Sequence, residues 1–565
     1  MSELNHLEVD LMNTDRLTEG LRRLPQGDKR LLQVFVGMAL LSLALGLFFG
    51  AMTAFVRAGF FELDSLTGYR MLTLHGVTIF FYWLYFFQAA LILVLAAVYT
   101  EGAGRIAWRG AAWVGLGLMA AGFVASELTP LLGTPLLYNA PPSLIEGDPA
   151  SSGFFYLGYT LLGIGLFLVA ASAIATAVKP RFEGKIDTWS SISFAAVAWA
   201  GLLIVSALAS INAFVPPMLW SFGLIDDVSS YTMSWNILFH NVHYLPLMAT
   251  VVMWYVLVEA VAGVKSIFGQ RFSKYVFATY LIFVPPTSIY HMFLEPNLAP
   301  GVRVMGSMLS LFISVPTVLV FLILVASLEA HARARGARGL FGWIRMLPWK
   351  NPAMSAMGMA VVNLAIGGVF AFVLIQEKLA PLLSDTFFVP GYFHFLTLGT
   401  VTLTFIAALL YVIPGITGHA LWRPAVMAKL PYVTTFGLLI FGGAGIAAGY
   451  SGVPRRVLDV AYQGDAPGSW AVLMAFVGIG AVVMAAALAV YVYGLFRTLL
   501  WPVRETSIET AGLAATSWGG VIVGRSSAWV GPLAVLVLVL AMYVFTSIAF
   551  EVMSGLSVET SGGHL

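Results

Sequence analysis

The chain has no cysteine among its 565 residues. Disulfides, iron–sulfur clusters and thiolate copper sites are therefore excluded within it, because each needs a cysteine sulfur. Charge is nearly as scarce. Asp, Glu, Lys and Arg make up 10% of residues against 59% hydrophobic ones, a balance far from that of a soluble protein. The net charge of +2 says nothing of nucleic acid, since the basic residues lie in short loops beside apolar runs. No low-complexity segment occurs, and no polar stretch is long enough for a separate soluble core. The first 30 residues are polar and charged, unlike a cleaved signal peptide.

What fills the chain is apolar runs of bilayer length, roughly 20 residues each. Thirteen can be read: 31–56, 72–98, 109–130, 152–178, 189–214, 235–262, 273–293, 303–328, 353–377, 387–413, 431–450, 469–497 and 528–552. They predict an all-α polytopic membrane protein, with 1–30 a cytoplasmic segment, 31–552 the thirteen-helix domain and 553–565 an outside tail. The loops 131–151 and 215–234, rich in Pro, Gly and Ser, read as irregular outside stretches. With the N-terminus inside, Arg and Lys concentrate in inside loops, most strongly at Arg333, Arg335, Arg338, Arg345 and Lys350. Outside loops carry acids such as Glu62, Asp64, Asp226 and Asp227. The alternation follows the positive-inside rule, and one outside pair, Arg455-Arg456, breaks it.

Histidines within spans are costly to bury and usually face a cofactor or a cavity. His75 lies in LTLHG near the start of span 2, and His240 and His243 lie in FHNVHY of span 6. His291 lies in PPTSIYHMF at the end of span 7, and His394 in VPGYFH of span 10. From the helix rise of about 1.5 Å per residue, His75, His240, His291 and His394 share the outer third of the membrane. Packing histidines would scatter over both halves, so the common depth points to a buried metal or haem assembly. Imidazole suits haem iron and copper equally well. His240 and His243 share a helix face, as do His240 and Tyr244.

LTLHG, RGLFGWIR before span 9, VPGYFH and GVPRR after span 11 together resemble subunit I of the haem–copper oxygen reductases, closest to the B-type branch. The resemblance covers nearly the whole chain and implies a thirteen-span fold in a prokaryotic cell membrane. It implies that His75 and His394 are the axial ligands of a low-spin haem b. It implies that Arg455 and Arg456 bind the haem propionates, which would account for their breaking the charge rule. His240 and Tyr244 take the first and last places of the family motif H-P-x-x-Y, where the histidine ligates copper and the tyrosine supplies a proton and an electron. Tyr255, Ser307 and Ser310 match polar positions of the B-type proton channel; a span Tyr or Ser also serves as a packing residue. Neither a dinuclear-copper domain nor a c-type haem motif is present. Electrons would therefore come through a cupredoxin-like subunit II, from a cytochrome c or cupredoxin donor.

The sequence departs from that family at its second metal centre. Two adjacent copper-ligating histidines at the end of span 7 are replaced by Tyr290-His291, and the high-spin haem's proximal histidine by Tyr392. The usual proline at 241 is Asn, and position 243 gains a histidine. A copper there would keep His240 and His291, with His243 or Tyr290 completing the set, and Tyr392 would face a high-spin haem. Tyrosinate is a known proximal haem ligand. The readings that follow are an oxygen-reducing terminal oxidase, a nitric oxide reductase-type enzyme, and a non-catalytic haem b relative for electron transfer or assembly. Retention of Tyr244 tells against the second, and the matched His75 and His394 against a plain transporter or channel.

Overall fold

A computed structural model describes residues 16–133, 149–228, 231–285, 314–375, 379–460 and 462–502, with single positions in 299–305 and 537–552. For part of 231–243, and at 149, 150 and 463, only the backbone is described. Among the described residues the regular structure is helical, apart from one bridge between Thr386 and Pro454. The long helices are α1 (Gln26–Arg57), α2 (Ser65–Tyr99), α3 (Arg109–Leu132), α4 (Pro149–Phe182), α5 (Ser191–Ser221) and α6 (Tyr231–Ala262). They continue as α7 (Gly269–Phe283), α8 (Ser314–Ala334), α9 (Pro352–Leu374), α10 (Phe388–Thr417), α11 (Leu430–Tyr450) and α12 (Gly468–Leu500).

Eleven helices among the described residues are long and apolar enough to cross a membrane, and the chain is a multi-pass membrane protein. They match eleven of the thirteen expected spans. The seventh is represented by the 15 residues of α7, and 286–293 lies outside the described residues. So does most of 528–552. Helix α5 runs past its expected end at 214 through Pro216 and Pro217 to Ser221, so the first part of the expected loop 215–234 is helical. Prolines are better tolerated in membrane helices because neighbouring groups take up the freed carbonyls.

Side chains set several helix ends. Asp64 caps α2 by accepting from the Thr67 backbone N–H (3.0 Å), and Ser190 caps α5 through Ser193 (3.1 Å). Asn351 caps α9 through Ala353 (2.9 Å), with Pro352 in the first turn. Each cap satisfies a donor that the first turn leaves free. Small residues then let backbones close up. A methyl on Gly115 of α3 would lie 2.7 Å from the Gly165 carbonyl oxygen of α4, and one on Gly122 would lie 2.5 Å from that of Gly158.

The helices are not equally enclosed. The most apolar window of α2 is 89% buried and that of α10 is 83% buried, against 44% for α1, α3 and α12. Helices α2, α6 and α10 therefore form the centre, and side chains aimed between them are screened from lipid. Part of the expected cytoplasmic segment joins this body. The short helix Arg16–Arg23 buries Leu17 and Leu21 completely, and Arg16 lies over the Tyr99 ring.

Candidate functional site

Helix α2 changes register just after His75, with a π segment at Thr78–Trp83. Helix α10 does the same just after His394, at Phe395–Thr402. Such segments insert an extra residue per turn and frequently occur at functional sites. The Thr400 hydroxyl donates to the Phe395 carbonyl five residues back (2.9 Å), and Asn363 of α9 donates to the Gly399 carbonyl (3.3 Å). Trp83 Nε1–H donates to the Thr402 hydroxyl (3.1 Å), tying the two segments together.

The two histidines face each other across the gap between α2 and α10. Their ring centroids are 6.2 Å apart and their planes differ by 9°. His75 Nδ1–H donates to the Gly46 carbonyl of α1 (2.8 Å), and His394 Nδ1–H donates to the Pro390 carbonyl (2.7 Å). Only a protonated Nδ1 can bond a carbonyl, so Nε2 is left with its lone pair in both rings. With a metal–nitrogen bond of ~2 Å and a further ~1 Å to the ring centre, two imidazoles on opposite sides of one iron have centroids ~6 Å apart. Spacing, parallel planes and tautomers all fit a haem held by both residues. The His75 ring is seated against Gly50, where a Cβ would meet its Nδ1 and Cε1 at 2.6 Å. The Phe441 ring backs His394 at 4.7 Å.

Arginines gather toward one end of these helices. Arg455 forms an ion pair with Asp385 (2.9 Å), and the Arg456 carbonyl accepts from the Tyr69 hydroxyl (3.3 Å). Arg57, at the end of α1, is buried; it donates to the Arg455 and Pro454 carbonyls and lies over the Phe387 ring at 4.7 Å. Among the described residues, Arg57 and Arg455 each retain a buried Nε with no hydrogen-bond partner. Such leftover donors fit a carboxylate-bearing group such as haem.

The second expected centre is described only in part. Tyr392 is buried two residues before His394, with its ring 5.8 Å from Phe388 and 6.1 Å from Phe393. It lies within electrostatic reach of Tyr244 and Arg455. Helix α6 carries His240 and His243, whose side chains lie outside the described residues, as do Tyr290, His291, Ser307 and Ser310. Among the described residues no group of three or more His, Cys, Asp or Glu could hold a metal ion. Tyr85 Oη donates to the Val242 carbonyl (2.7 Å), which ties α2 to this stretch of α6. Further along α6, Tyr255 Oη is 3.0 Å from Ser273 Oγ and 3.5 Å from Ser191 Oγ. Tyr280 Oη is 3.0 Å from Thr317 Oγ1. These hydroxyls are buried between α5, α6, α7 and α8.

A family model described as "Cytochrome C and Quinol oxidase polypeptide I" matches residues 30–483. The chain belongs to that family. Among similar proteins, "Cytochrome c oxidase subunit 1" of Thermus thermophilus is 29% identical over 454 residues, covering 79% of this chain and 78% of the relative. "Cytochrome c oxidase polypeptide 1" of Halobacterium salinarum is 25% identical over 369 residues, 61% of this chain and 56% of the relative. A solved heme–copper terminal oxidase dimer shares the fold, with a TM-score of 0.77, 22% identity and 91% of each chain covered.

Haem and copper are the cofactors implied by membership of the cytochrome c and quinol oxidase polypeptide I family. Within that frame, the structure adds residues that sequence reasoning passed over. Gly46 and Gly50 seat the His75 ring, and Arg57 joins Arg455 and Arg456. Glu127, a carboxyl within the last two turns of an apolar helix, is buried and accepts or gives a hydrogen bond at Thr78 Oγ1 (2.6 Å). An acid inside a span is itself a signal, and Glu127 could have been found that way. The two π segments carry no comparable signal.

Proposed function

We propose that this chain is the catalytic subunit I of a respiratory terminal oxidase of a prokaryotic cell membrane, taking electrons from a partner chain and reducing oxygen to water. The observation that carries the reading is the parallel His75–His394 pair with both Nδ1 atoms engaged. A haem b bound there would supply a one-electron carrier. His75 and His394 would hold it through Nε2, with Arg57, Arg455 and Arg456 neutralising its carboxylates. At the second centre, His240, His243 and His291 would hold copper, with Tyr392 toward a high-spin haem and Tyr244 and Tyr290 beside the reacting oxygen. Tyr255, Ser307 and Ser310 would pass protons from the cytoplasm, and the contact of Tyr255 with Ser273 and Ser191 supports its place in such a line. Thirteen spans, an inside N-terminus, a B-type affiliation, a cupredoxin-like subunit II and a cytochrome c or cupredoxin donor belong to the same reading.

The burial of Tyr392 against Phe388 and Phe393 favours a second reading, in which the chain keeps only the His75–His394 haem and carries electrons without reducing oxygen. The same experiment separates the two. Reduced protein with an active second centre gives a carbon monoxide difference spectrum and about one copper per chain. A protein of the second kind gives one haem, no carbon monoxide signal and no copper. A purified protein with no haem at all would refute both.

A further inference from the structure

We infer that Glu127 is a neutral carboxylic acid inside the membrane, donating its proton to Thr78 and so holding the turn that carries His75. It is a positioning residue for the haem ligand, and in that respect it rests on the proposed role of His75. Glu127 lies within the membrane helix α3 and is 7% exposed. Its Oε1 is 2.6 Å from Thr78 Oγ1, and Thr78 Oγ1 is 2.5 Å from the Leu74 carbonyl oxygen. A threonine hydroxyl has one proton to give. Were Glu127 ionised, that single proton would face two close oxygens and leave one repulsive contact. With the proton on Glu127, the line closes: Glu127 O–H donates to Thr78, and Thr78 O–H donates to Leu74.

The surroundings agree. Among the described residues no lysine or arginine forms an ion pair with Glu127, and an unpaired carboxylate buried among apolar helices is strongly disfavoured. The titratable groups on neighbouring elements have other engagements. Tyr82 of α2 bonds Ser126 Oγ (2.8 Å), and Arg70 of α2 donates to the Gly133 carbonyl beyond the outer end of α3 (3.2 Å). Tyr159 of α4 packs edge-on against Phe81 (4.6 Å). The line ends on the peptide between Leu74 and His75, at the point where α2 enters its π segment. The acid therefore fixes backbone next to the ligand from a neighbouring helix, independently of the Nδ1 bond to Gly46.

Infrared spectroscopy of the purified full-length protein tests this. Wild-type minus Glu127→Gln spectra should show the carbonyl stretch of a protonated carboxylic acid, downshifted in heavy water, and Thr78→Val should move that band. The Gln amide can still donate to Thr78, so Glu127→Gln should keep the low-spin electron paramagnetic resonance signal and haem midpoint potential of the wild type. Glu127→Leu, which cannot donate, should shift both. A protein with no Glu127-dependent protonated-acid band overturns the proposal, as does a Glu127→Leu variant whose signal and potential are those of the wild type. The band is readable with or without haem. A wild type that has the band but no low-spin haem refutes the haem assignment and leaves the neutral acid standing.

Discussion

Replacing Gly50 with alanine puts one methyl group where the His75 ring sits. The added Cβ would lie 2.6 Å from His75 Nδ1 and Cε1 and 3.3 Å from Cγ. Carbon contacts are favourable from ~3.5 Å outward, so something must yield by about 1 Å. Helix α1 is held at both ends of this stretch, by Gly46 closed onto Ile79 and by Arg57 on the 454–455 carbonyls. The ring is therefore the part that moves. Overpacking of this kind costs about 1–3 kcal/mol. Moving the ring also stretches the 2.8 Å bond from Nδ1 to Gly46, and a buried donor left without a partner costs about 1–3 kcal/mol more. Gly50→Ala is thus expected to destabilise the seated ring by about 2–6 kcal/mol in all. In detergent-purified protein the assay is haem content per chain together with the low-spin spectrum. Haem loss, or a shifted low-spin signal with the helical circular dichroism intact, is the expected result. A variant with wild-type haem content, spectrum and melting temperature would show that the His75 ring does not lie against α1.

Three further outcomes follow from particular contacts. Arg57→Ala unties the Pro454 and Arg455 carbonyls, each costing about 1–3 kcal/mol if left unsatisfied; the melting temperature should fall, and Arg57→Lys should not restore it, because an ammonium lacks the guanidinium's fork. Hydrogen bonds from the Thr67 side chain and backbone hold the Asp64 carboxyl below its usual range. A depressed folded value means the cap's contribution is present above the unfolded value, ~3.9, and fades as pH falls through the folded one. Wild type and Asp64→Ala should therefore differ in thermal stability at neutral pH and converge in strong acid; a gap that persists there would contradict the capping role. Tyr255→Phe removes the hydroxyl between Ser273 and Ser191 and should slow oxygen consumption about tenfold or more without changing haem content. Unchanged turnover would remove Tyr255 from the proton line.

The parts of the site that were legible in the sequence are those whose chemistry is expensive to bury. His75 and His394 stand out because imidazole is rare inside spans, and Arg455-Arg456 because they break the charge alternation. Their surroundings were not legible. Gly50 is one of 56 glycines, and nothing local marks it as the seat of a ring from another helix. Asp385 pairs with Arg455 across 70 positions, a contact that only the fold creates. The π segments after His75 and His394 arise from tertiary fit, with Thr400, Asn363 and Trp83 supplying bonds from several elements. Helix α5 outran its expected end because prolines that stop a soluble helix are accommodated in a membrane one.

The central proposal is that His75 and His394 grip one haem with nearly parallel rings, and electron paramagnetic resonance of the oxidised protein tests it most directly. Two histidine rings 9° apart that hold one haem are expected to give the rhombic low-spin ferric signal of parallel ligands, lost in both His75→Ala and His394→Ala. A strongly anisotropic low-spin signal, which marks perpendicular imidazoles, would contradict the account, as would a low-spin signal that survives either substitution.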